Sequence, residues 1–339
     1  MRFYSDYYSR LEVLSRKLQY ASSMRISVDV ITSAYNEEEC LPELFARLEK
    51  IALVEEEYSF HFIVIDNGST DRTWHIIKER QKTDGRYTAI RMSRNFSLDA
   101  AFTCGLDRAT ADIAIVMTSD LQDPPECIPE LLRAHELGFE QVLVKVVDRG
   151  TVPALRRFLS NIFYRLANVM TGGMLPKSVS DFRLVSKKCY EAIRSLRESH
   201  RFLRGLGSWV GFETTYIEIK RPPRFAGESK WLGVSLVRTV LHGFQSIFAY
   251  SSLPLAWVSI FGVLMSLTSG ILLIGLTLSW VLLGVPFAGF GSIVATVILC
   301  FSITILILGV IAQYISLIYE EVKQRPLYLV AEDLTDTRF

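Results

Sequence analysis

Two side chains that can bind a divalent cation follow an apolar stretch near the middle of the chain. Ile113 to Met117 is an uninterrupted apolar run, which is typical of a buried strand in a parallel sheet. Asp120 and Gln122 follow it, and Pro124-Pro125 cannot continue a central strand. Open α/β sheets bind ligands beyond the carboxyl ends of their strands, and Mg²⁺ takes many of its ligands from phosphates and water. The pattern predicts a cation site that holds a diphosphate; the alternative is a loop acid that hydrogen-bonds its own turn.

Two earlier predicted strands, Ile26–Thr32 and Phe60–Ile65, also end in polar side chains. Tyr35 and Glu37 follow the first strand, and Asp66 ends the second. Strand and helix patterns alternate through this half of the chain, which predicts a doubly wound, mostly parallel sheet of the Rossmann-like kind. The ends of its strands meet at one edge, so three acidic strand ends favour a nucleotide-diphosphate site with a metal. Each acid considered separately is more often a turn or capping residue.

Composition and missing motifs argue against several other functions. The formal net charge is +1, which argues against a nucleic-acid partner. No Gly-x-Gly-x-x-Gly follows a predicted strand and no Walker lysine loop occurs, so nicotinamide and ATP sites lose their main support. The five cysteines show no paired spacing, which gives no zinc site and fits a reducing compartment.

A second group of candidate residues is basic. Arg156 and Ser160 are one helical turn apart, and an arginine with a hydroxyl on one helix face can bind a phosphate. The alternative is a solvated basic face. Arg204 and Lys230 add cations in segments that we expect to be mobile.

A long apolar tract near the C-terminus predicts membrane insertion. No Asp, Glu, Lys, Arg or His occurs between Gly243 and Tyr319, and about 20 apolar residues span a bilayer. We predict two spans, Leu255–Leu283 and Ser292–Tyr319, although a buried core hairpin would be the alternative. The flanks are basic and the connecting loop is uncharged, which predicts that the hydrophilic domain and both termini are cytoplasmic. The flanking cations are Lys220, Arg221, Arg224, Lys230, Arg238, Lys323 and Arg325.

These patterns divide the chain into five predicted parts. Residues 1–24 form an N-terminal extension without a signal-peptide core, and residues 25–230 form the cytoplasmic α/β domain. Residues 231–250 are amphipathic and suit a helix in the membrane interface. The predicted transmembrane hairpin covers residues 251–320, and residues 321–339 form a cytoplasmic tail.

Several motifs occur together in the order found in one known family. They are Ala-Tyr-Asn-Glu, Asp-Asn-Gly-Ser-Thr-Asp-Arg-Thr, Ser-Arg-Asn-Phe, Ser-Asp-Leu-Gln-Asp-Pro-Pro-Glu, Asp-Phe-Arg-Leu, Arg-Phe-Leu-Arg-Gly-Leu and Ala-Gly-Glu-Ser-Lys. The chain resembles family 2 glycosyltransferases of the polyprenyl-phosphate type, which include bactoprenol glucosyltransferases and dolichol-phosphate mannose synthases. The resemblance covers the chain from near residue 25 through the second predicted span.

The resemblance implies a GT-A fold and inverting transfer of a sugar from a nucleotide-sugar, UDP-linked in our prediction, to undecaprenyl or another polyprenyl phosphate. The expected location is the cytoplasmic face of the bacterial inner membrane, with Mg²⁺ or Mn²⁺ as cofactor and a homotetramer as the assembly. The family positions imply catalytic roles for Asp120, Arg156 and Lys230, metal binding by Asp120 and Gln122, and acceptor-phosphate binding by Arg156 and Ser160. They imply nucleotide-sugar contacts for Ala34, Tyr35, Glu37, Asp66, Ser119, Asp120 and Arg204.

The chain departs from the family pattern at several of these positions. Thr118 stands where the family has the first acid of Asp-x-Asp, and Asn67 stands where a second acid follows Asp66. Ser97 replaces a glycine, and Val146 lies near the position of an expected arginine. Three hypotheses follow: an active transferase with an altered donor pocket, which we favour, a non-catalytic membrane scaffold, or a processive polysaccharide synthase. Against the last, the chain has no Gln-x-x-Arg-Trp and too few spans for a polymer channel.

Overall fold

The computed structural model describes residues 25–148, 179–199, 201–222, 224–226, 253–283 and 290–335. Arg156, Ser160 and Lys230, together with the predicted segments 1–24 and 231–250, lie outside these residues. Eight strands, β1 to β8, form one sheet in the order β7-β5-β6-β4-β1-β2-β3-β8. In chain order they are Ile26–Ala34, Tyr58–Asp66, Tyr87–Met92, Ile113–Thr118, Gln141–Asp148, Val179–Ser186, Thr214–Lys220 and Val330–Leu334.

The centre of the sheet is a parallel block made of β4, β1, β2 and β3. Its strands are apolar because both faces are covered, and Val28 through Ala34 of β1 are buried throughout. The predicted mostly parallel α/β sheet is therefore confirmed. Strands β1, β2 and β4 extend slightly beyond their predicted ends, since the residues that follow each predicted run still pair across the sheet: Ser33, Ala34, Asp66 and Thr118.

Among the described residues, six helices cover the two faces of the sheet. Helices α1, α2 and α4 pack in one hydrophobic cluster, and α3, α5 and α6 pack in another on the opposite face. Apolar residues recur at helical spacing along α1 and form its buried face, as expected for an amphipathic helix against a core: Leu41, Leu44, Phe45, Leu48 and Ile51. The helices are α1 (Leu41–Val54), α2 (Thr73–Thr83), α3 (Leu98–Arg108), α4 (Ile128–Glu136), α5 (Lys187–Ser195) and α6 (Leu203–Trp209).

Three strands were not predicted from the sequence. β6 lies antiparallel between β4 and β5, and it contains the Asp-Phe-Arg-Leu motif at residues 181–184. β7 pairs in parallel with β5 at one edge. β8 comes from the C-terminal tail and pairs antiparallel with β3, which makes β8 the other edge strand of the sheet.

The apolar tract forms two long helices, α7 (Leu253–Leu283) and α8 (Phe290–Val322). Their bounds agree closely with the two predicted spans. Within the part of the chain that the structure describes, one helical stretch, Leu299–Val322, is long and apolar enough to cross a membrane by length and composition. Two complete spans therefore remain a prediction.

Candidate active site

The carboxyl ends of β1, β2 and β4 meet at one edge of the sheet, as the sequence predicts. Ala34 at the end of β1 lies in register with Asp66 at the end of β2, and Ser33 lies in register with Thr118 of β4. The Ser119 hydroxyl, which is buried, donates a 2.9 Å hydrogen bond to the Ser33 carbonyl. This bond fixes the end of β4 against β1, the strand that lies between β4 and β2.

Asp66 is fully buried at this edge. Its Oδ1 accepts a 3.0 Å hydrogen bond from the Ser69 backbone N–H. Arg91 Nε lies 3.2 Å from Oδ2, but the N–H direction makes no hydrogen bond, so this buried oxygen has no donor in the structure. Burial raises the pKa of Asp66, against the lowering effects of the Ser69 hydrogen bonds and the Arg91 charge. A buried carboxylate oxygen without a donor is a candidate ligand contact.

The loops after β2 and β3 are in close backbone contact because residue 68 is glycine. Gly68 has φ +72°, and a Cβ built on it would lie 2.4 Å from the carbonyl carbon of Arg94. Asn67 connects the same two loops: its Nδ2 donates to the Ser97 carbonyl at 3.2 Å and its Oδ1 accepts from the Phe96 N–H at 3.1 Å. A carboxylate at position 67 could accept the hydrogen bond from the Phe96 N–H but could not donate one to the Ser97 carbonyl. This difference explains why an amide can stand where the family pattern has an acid.

The acids after β4 occupy two different environments. Thr118 Oγ1 lies 2.9 Å from Asp120 Oδ1 and 3.1 Å from Asp123 Oδ2, and its single hydroxyl proton can be donated to one of them. Asp123 is fully buried, and its Oδ1 accepts hydrogen bonds from Ser180 Oγ at 2.8 Å and Arg221 Nη2 at 3.0 Å. Burial raises the pKa of Asp123, while Arg221 and Ser180 oppose that rise. Asp120 is partly exposed, so it is the acid that a ligand can reach.

The donor set at this turn suits a cation that arrives with phosphate. Asp120 Oδ1 also accepts a 3.2 Å hydrogen bond from the Gln122 backbone N–H, which places the two predicted metal ligands next to each other. No group of three or more His, Cys, Asp or Glu side chains able to hold a metal ion occurs among the described residues. One accessible carboxylate and one amide fit Mg²⁺ or Mn²⁺ completed by phosphate oxygens and water, rather than a cage made by the protein alone.

The segment after β7, Arg221–Ala226, is fixed to this edge by arginine–carboxylate pairs. Arg221 pairs with Asp123, and Arg224 Nη2 contacts both oxygens of Glu37 at 2.7 and 2.6 Å. Arg224 Nε also donates to the Ala226 carbonyl at 2.7 Å. Glu37 and Arg224 are both largely buried, so this contact is a charge-assisted bond of the kind that holds a loop in place.

Arg204 lies on the β6 side of the edge. Its guanidinium forms a bidentate pair with Asp181, with distances of 2.7 and 2.6 Å. Burial disfavours the Asp181 charge, but the Arg204 hydrogen bonds and charge outweigh burial and lower the pKa of Asp181. Asp99 lies nearby and accepts a 3.0 Å hydrogen bond from the Leu203 N–H. Burial, followed by the charge of Asp181, raises the pKa of Asp99 to about 6.

Several site residues were missed or left without a role by the sequence analysis. Asp123 belongs to the same motif as Asp120, and its spacing from the strand end could have drawn attention to it. Arg221 and Arg224 were noted only as cations. Their partners lie far away in the sequence, so no local pattern could identify these pairs.

Comparison with known proteins connects this edge to an enzyme family. The model for "Glycosyl transferase family 2" matches residues 29–194. An uncharacterized glycosyltransferase of Synechocystis sp. is 34% identical over 91% of this chain and 96% of its own length. The chain belongs to glycosyl transferase family 2. The fold is therefore a GT-A-like domain, and the protein is a glycosyltransferase, as the resemblance implied.

Other relatives have names that state a substrate. A prophage-derived bactoprenol glucosyl transferase of Shigella flexneri is 32% identical over 90% of this chain and 97% of its own length. A solved structure, glucosyl-3-phosphoglycerate synthase from Mycobacterium tuberculosis with Mn²⁺, UDP-glucose and phosphoglyceric acid, is 19% identical. That match covers 68% of this chain and 82% of the solved chain, with a TM-score of 0.48.

Proposed function

We propose that this glycosyltransferase moves a sugar from a UDP-linked donor to undecaprenyl or another polyprenyl phosphate at the cytoplasmic membrane face, with inversion at the anomeric carbon. The observation that carries the proposal is the shared strand edge, where Asp66 ends β2 and Asp120 follows β4 on the two sides of β1, with the Arg221–Asp123 and Arg224–Glu37 pairs at the same edge. The bactoprenol glucosyl transferases among the relatives support the acceptor class because they align over nearly the full chain.

The base of the donor would bind at Asp66. Asp66 Oδ2 has the Arg91 charge nearby but no hydrogen-bond donor, so it is an acceptor that a nucleobase N–H could satisfy, and a buried acceptor without a donor is unfavourable until it is paired. Ala34, Tyr35 and Ser119 lie at the ends of β1 and β4 on the same edge and would also contact the donor. Recognition of this kind rejects a base that lacks a matching N–H group.

The diphosphate would lie at the end of β4. Asp120 and Gln122 would hold Mg²⁺ or Mn²⁺ there, and the bound cation would neutralise the diphosphate leaving group. Glu37 and Asp123 are acids that would repel a diphosphate, but each is already paired with an arginine of the Arg221–Ala226 segment. These pairs reduce the negative charge that the donor meets at the edge.

The attacking group would be an oxygen of the acceptor phosphate. It is anionic at neutral pH, so the reaction needs no strong general base; the difficulty is to bring two anions together. Arg156 and Ser160 would bind the acceptor phosphate, and Arg156 and Lys230 would screen the repulsion. The new bond joins the phosphate oxygen to the anomeric carbon as the nucleoside diphosphate leaves from the opposite face.

The membrane attachment would be a two-helix hairpin. The chain leaves the sheet after β7, runs through α7 and α8, and returns to the same sheet as β8. A chain that returns to the same side crosses the bilayer an even number of times, which favours two crossings by α7 and α8 over one. Large apolar side chains of both helices are exposed, as lipid-facing residues would be, including Trp257, Ile271 and Phe301.

A donor panel tests the proposal. Membranes that contain the protein are incubated with undecaprenyl phosphate and a series of nucleotide-sugars, with Mn²⁺ or with excess EDTA. We expect one UDP-sugar to give a lipid-linked sugar in the presence of Mn²⁺ and little or none with EDTA. Failure of all donors would favour the non-catalytic scaffold, and a lipid-linked sugar polymer would favour a processive synthase.

A further inference from the structure

A row of alternating charges crosses the sheet beside the proposed base site. Asp66 of β2 is the register partner of Arg91 of β3, and Arg91 is the register partner of Glu332 of β8. The row therefore connects the C-terminal strand to Asp66 through a single arginine. Neither Arg91 nor Glu332 was identified by its motif or position in the sequence.

The Arg91 guanidinium is shared between the two acids. Its Nε lies 3.2 Å from Asp66 Oδ2, and its Nη1 lies 3.6 Å from Glu332 Oε1. The guanidinium also lies 5.8 Å from the centre of the Trp74 ring. Lys78 Nζ donates a 3.0 Å hydrogen bond to Glu332 Oε2, which leaves the other oxygen of Glu332 directed toward Arg91.

The Asp66–Arg91 and Arg91–Glu332 ion pairs differ in their effect on the protein because Asp66 is buried and Glu332 is partly exposed. Asp66 is buried, so its charge depends strongly on a nearby cation. Glu332 is 40% exposed and Arg91 is 35% exposed, and pairs of this kind add little to stability. The effect of the Arg91–Glu332 contact is therefore on the position of the guanidinium. The contact keeps the guanidinium near Asp66 but without a hydrogen bond to Asp66 Oδ2.

We propose that Glu332 is a positioning residue for donor binding, and this inference rests on the proposed role of Asp66 as the base contact. Through its ion pair, Glu332 keeps the Arg91 guanidinium away from a hydrogen bond with Asp66. Asp66 Oδ2 can then accept a hydrogen bond from a nucleobase N–H. Without Glu332, the guanidinium moves onto Asp66 and forms the missing hydrogen bond. The base must then displace Arg91, and donor binding weakens.

The test measures binding of UDP to the full-length protein in detergent by titration calorimetry with Mn²⁺ present. We expect Glu332→Gln to raise the Kd for UDP about three- to fivefold, the range that a partly exposed ion pair can supply. The KM for the nucleotide-sugar should rise by the same factor, with kcat and the KM for the lipid unchanged.

A matched control is available on the same strand. Asp333 is the next residue of β8 and pairs with Arg108 at 2.8 Å instead of with Arg91. Asp333→Asn removes an ion pair that holds β8 in place, so a merely structural effect would appear in both variants. We expect UDP binding by Asp333→Asn to equal that of the wild type. In an Arg91→Gln background, Glu332→Gln should have no further effect.

Each other outcome overturns the inference. Equal weakening by Glu332→Gln and Asp333→Asn would make β8 a structural support only, and an undiminished effect in the Arg91→Gln background would exclude action through Arg91. Normal UDP binding by Glu332→Gln, with sugar transfer intact, would overturn the positioning role and leave the proposed function standing. A wild-type protein that binds no UDP would overturn both.

Discussion

Burial separates the roles of three acids at the strand edge. Asp66 and Asp123 are fully buried, whereas Asp120 is partly exposed. Asp123 is paired with Arg221 and accepts a hydrogen bond from Ser180, and Asp66 retains an oxygen without a hydrogen-bond donor. Three aspartates therefore have different roles because their surroundings differ. Asp123 supports the loop internally, Asp66 is a candidate contact for the nucleobase, and Asp120 is a candidate cation ligand.

Asp120 is the acid whose loss should stop the reaction. Asp120→Asn keeps the shape of the side chain and can still accept the Thr118 hydrogen bond, but it loses the charge that a cation needs. We expect transfer to fall by about two orders of magnitude or more, with Mn²⁺-dependent UDP binding also lost. Circular dichroism should show an unchanged fold. Near-normal turnover would contradict the metal role.

Arg156 is predicted to act on the lipid rather than on the donor. Arg156→Ala removes a cation that would bind the acceptor phosphate, so the KM for polyprenyl phosphate should rise several-fold more than the KM for the nucleotide-sugar. Initial rates measured over both substrate concentrations separate the two values. Equal increases in both would remove the acceptor assignment.

Asp99 makes stability depend on pH. Its ordinary pKa is 3.8, and its pKa in the folded protein is about 6, so the folded state binds more protons between these values. Stability from this group is therefore lost as pH rises through about 6. Asp99→Asn keeps the acceptor for the Leu203 N–H and removes the charge. We expect it to stabilise the protein at pH 7.5 by about 1–2 kcal/mol, and by much less at pH 4.5.

Melting temperatures of the wild type and of Asp99→Asn at the two pH values check this prediction. The difference between the two proteins isolates Asp99 from the other carboxylates that titrate in the same range. A difference that is equal at both pH values would show that the Asp99 charge is not disfavoured in the fold.

At the scale of elements, the edge is built from loops that follow parallel strands. Leu121, directly after Asp120, has φ +60°, a left-handed conformation that costs about 1 kcal/mol or more for a residue with a side chain. Its side chain is buried, and that burial offsets part of this strain. The turn brings the Gln122 N–H back to Asp120 Oδ1.

Gly68 should be the position in these loops that tolerates a side chain least. Gly68→Ala places a methyl group against the backbone of Arg94 and retains a positive φ, so neither backbone can relieve the contact cheaply. We expect a loss of about 2 kcal/mol or more, with weaker UDP binding because the Asp66 loop must shift. Gly85→Ala is the control, since nothing lies within 4 Å of its Cβ position. Thermal unfolding that is equally affected in both variants would refute this account.

The sequence predicts the elements whose pairing partners lie nearby in the chain. The parallel strands β1 to β4 and the buried face of α1 follow from apolar runs and helical spacing. The same patterns placed Asp66 and Asp120 at one edge because parallel strands end on the same side. β8 could not be predicted, since its pairing with β3 joins residues that lie on either side of the entire apolar tract. Arg224–Glu37 is likewise a contact over a long sequence separation.

At the scale of the whole molecule, β8 anchors the end of the chain to the sheet. Ser93 N–H donates to the Leu329 carbonyl at 2.8 Å, Arg108 pairs with Asp333, and Tyr328 donates a 2.8 Å hydrogen bond to Asp107. At the end of α8, Glu321 accepts a 2.8 Å hydrogen bond from the Ser199 N–H. The apolar helices are therefore attached to the catalytic domain where the chain returns from them.

A membrane hairpin formed by α7 and α8 predicts that positions 288 and 335 lie on opposite sides of the membrane. With both helices crossing the membrane, Ala288 between them faces the outside, whereas Thr335 after β8 faces the cytoplasm. In intact spheroplasts we expect a membrane-impermeant maleimide to label Ala288→Cys and to leave Thr335→Cys unlabelled until lysis. The unsubstituted protein gives the background from the native cysteines. Labelling of neither position before lysis would contradict the hairpin.

The late position of β8 in the chain has a consequence for biosynthesis. A ribosome makes β3 long before it makes residues 330–334, so β3 remains an open sheet edge while the apolar helices are being synthesised. Open edges recruit other strands and promote aggregation. Deleting residues 330–334 would make that exposure permanent, and a bulky tag fused close to Leu334 would hinder the pairing of β8 with β3.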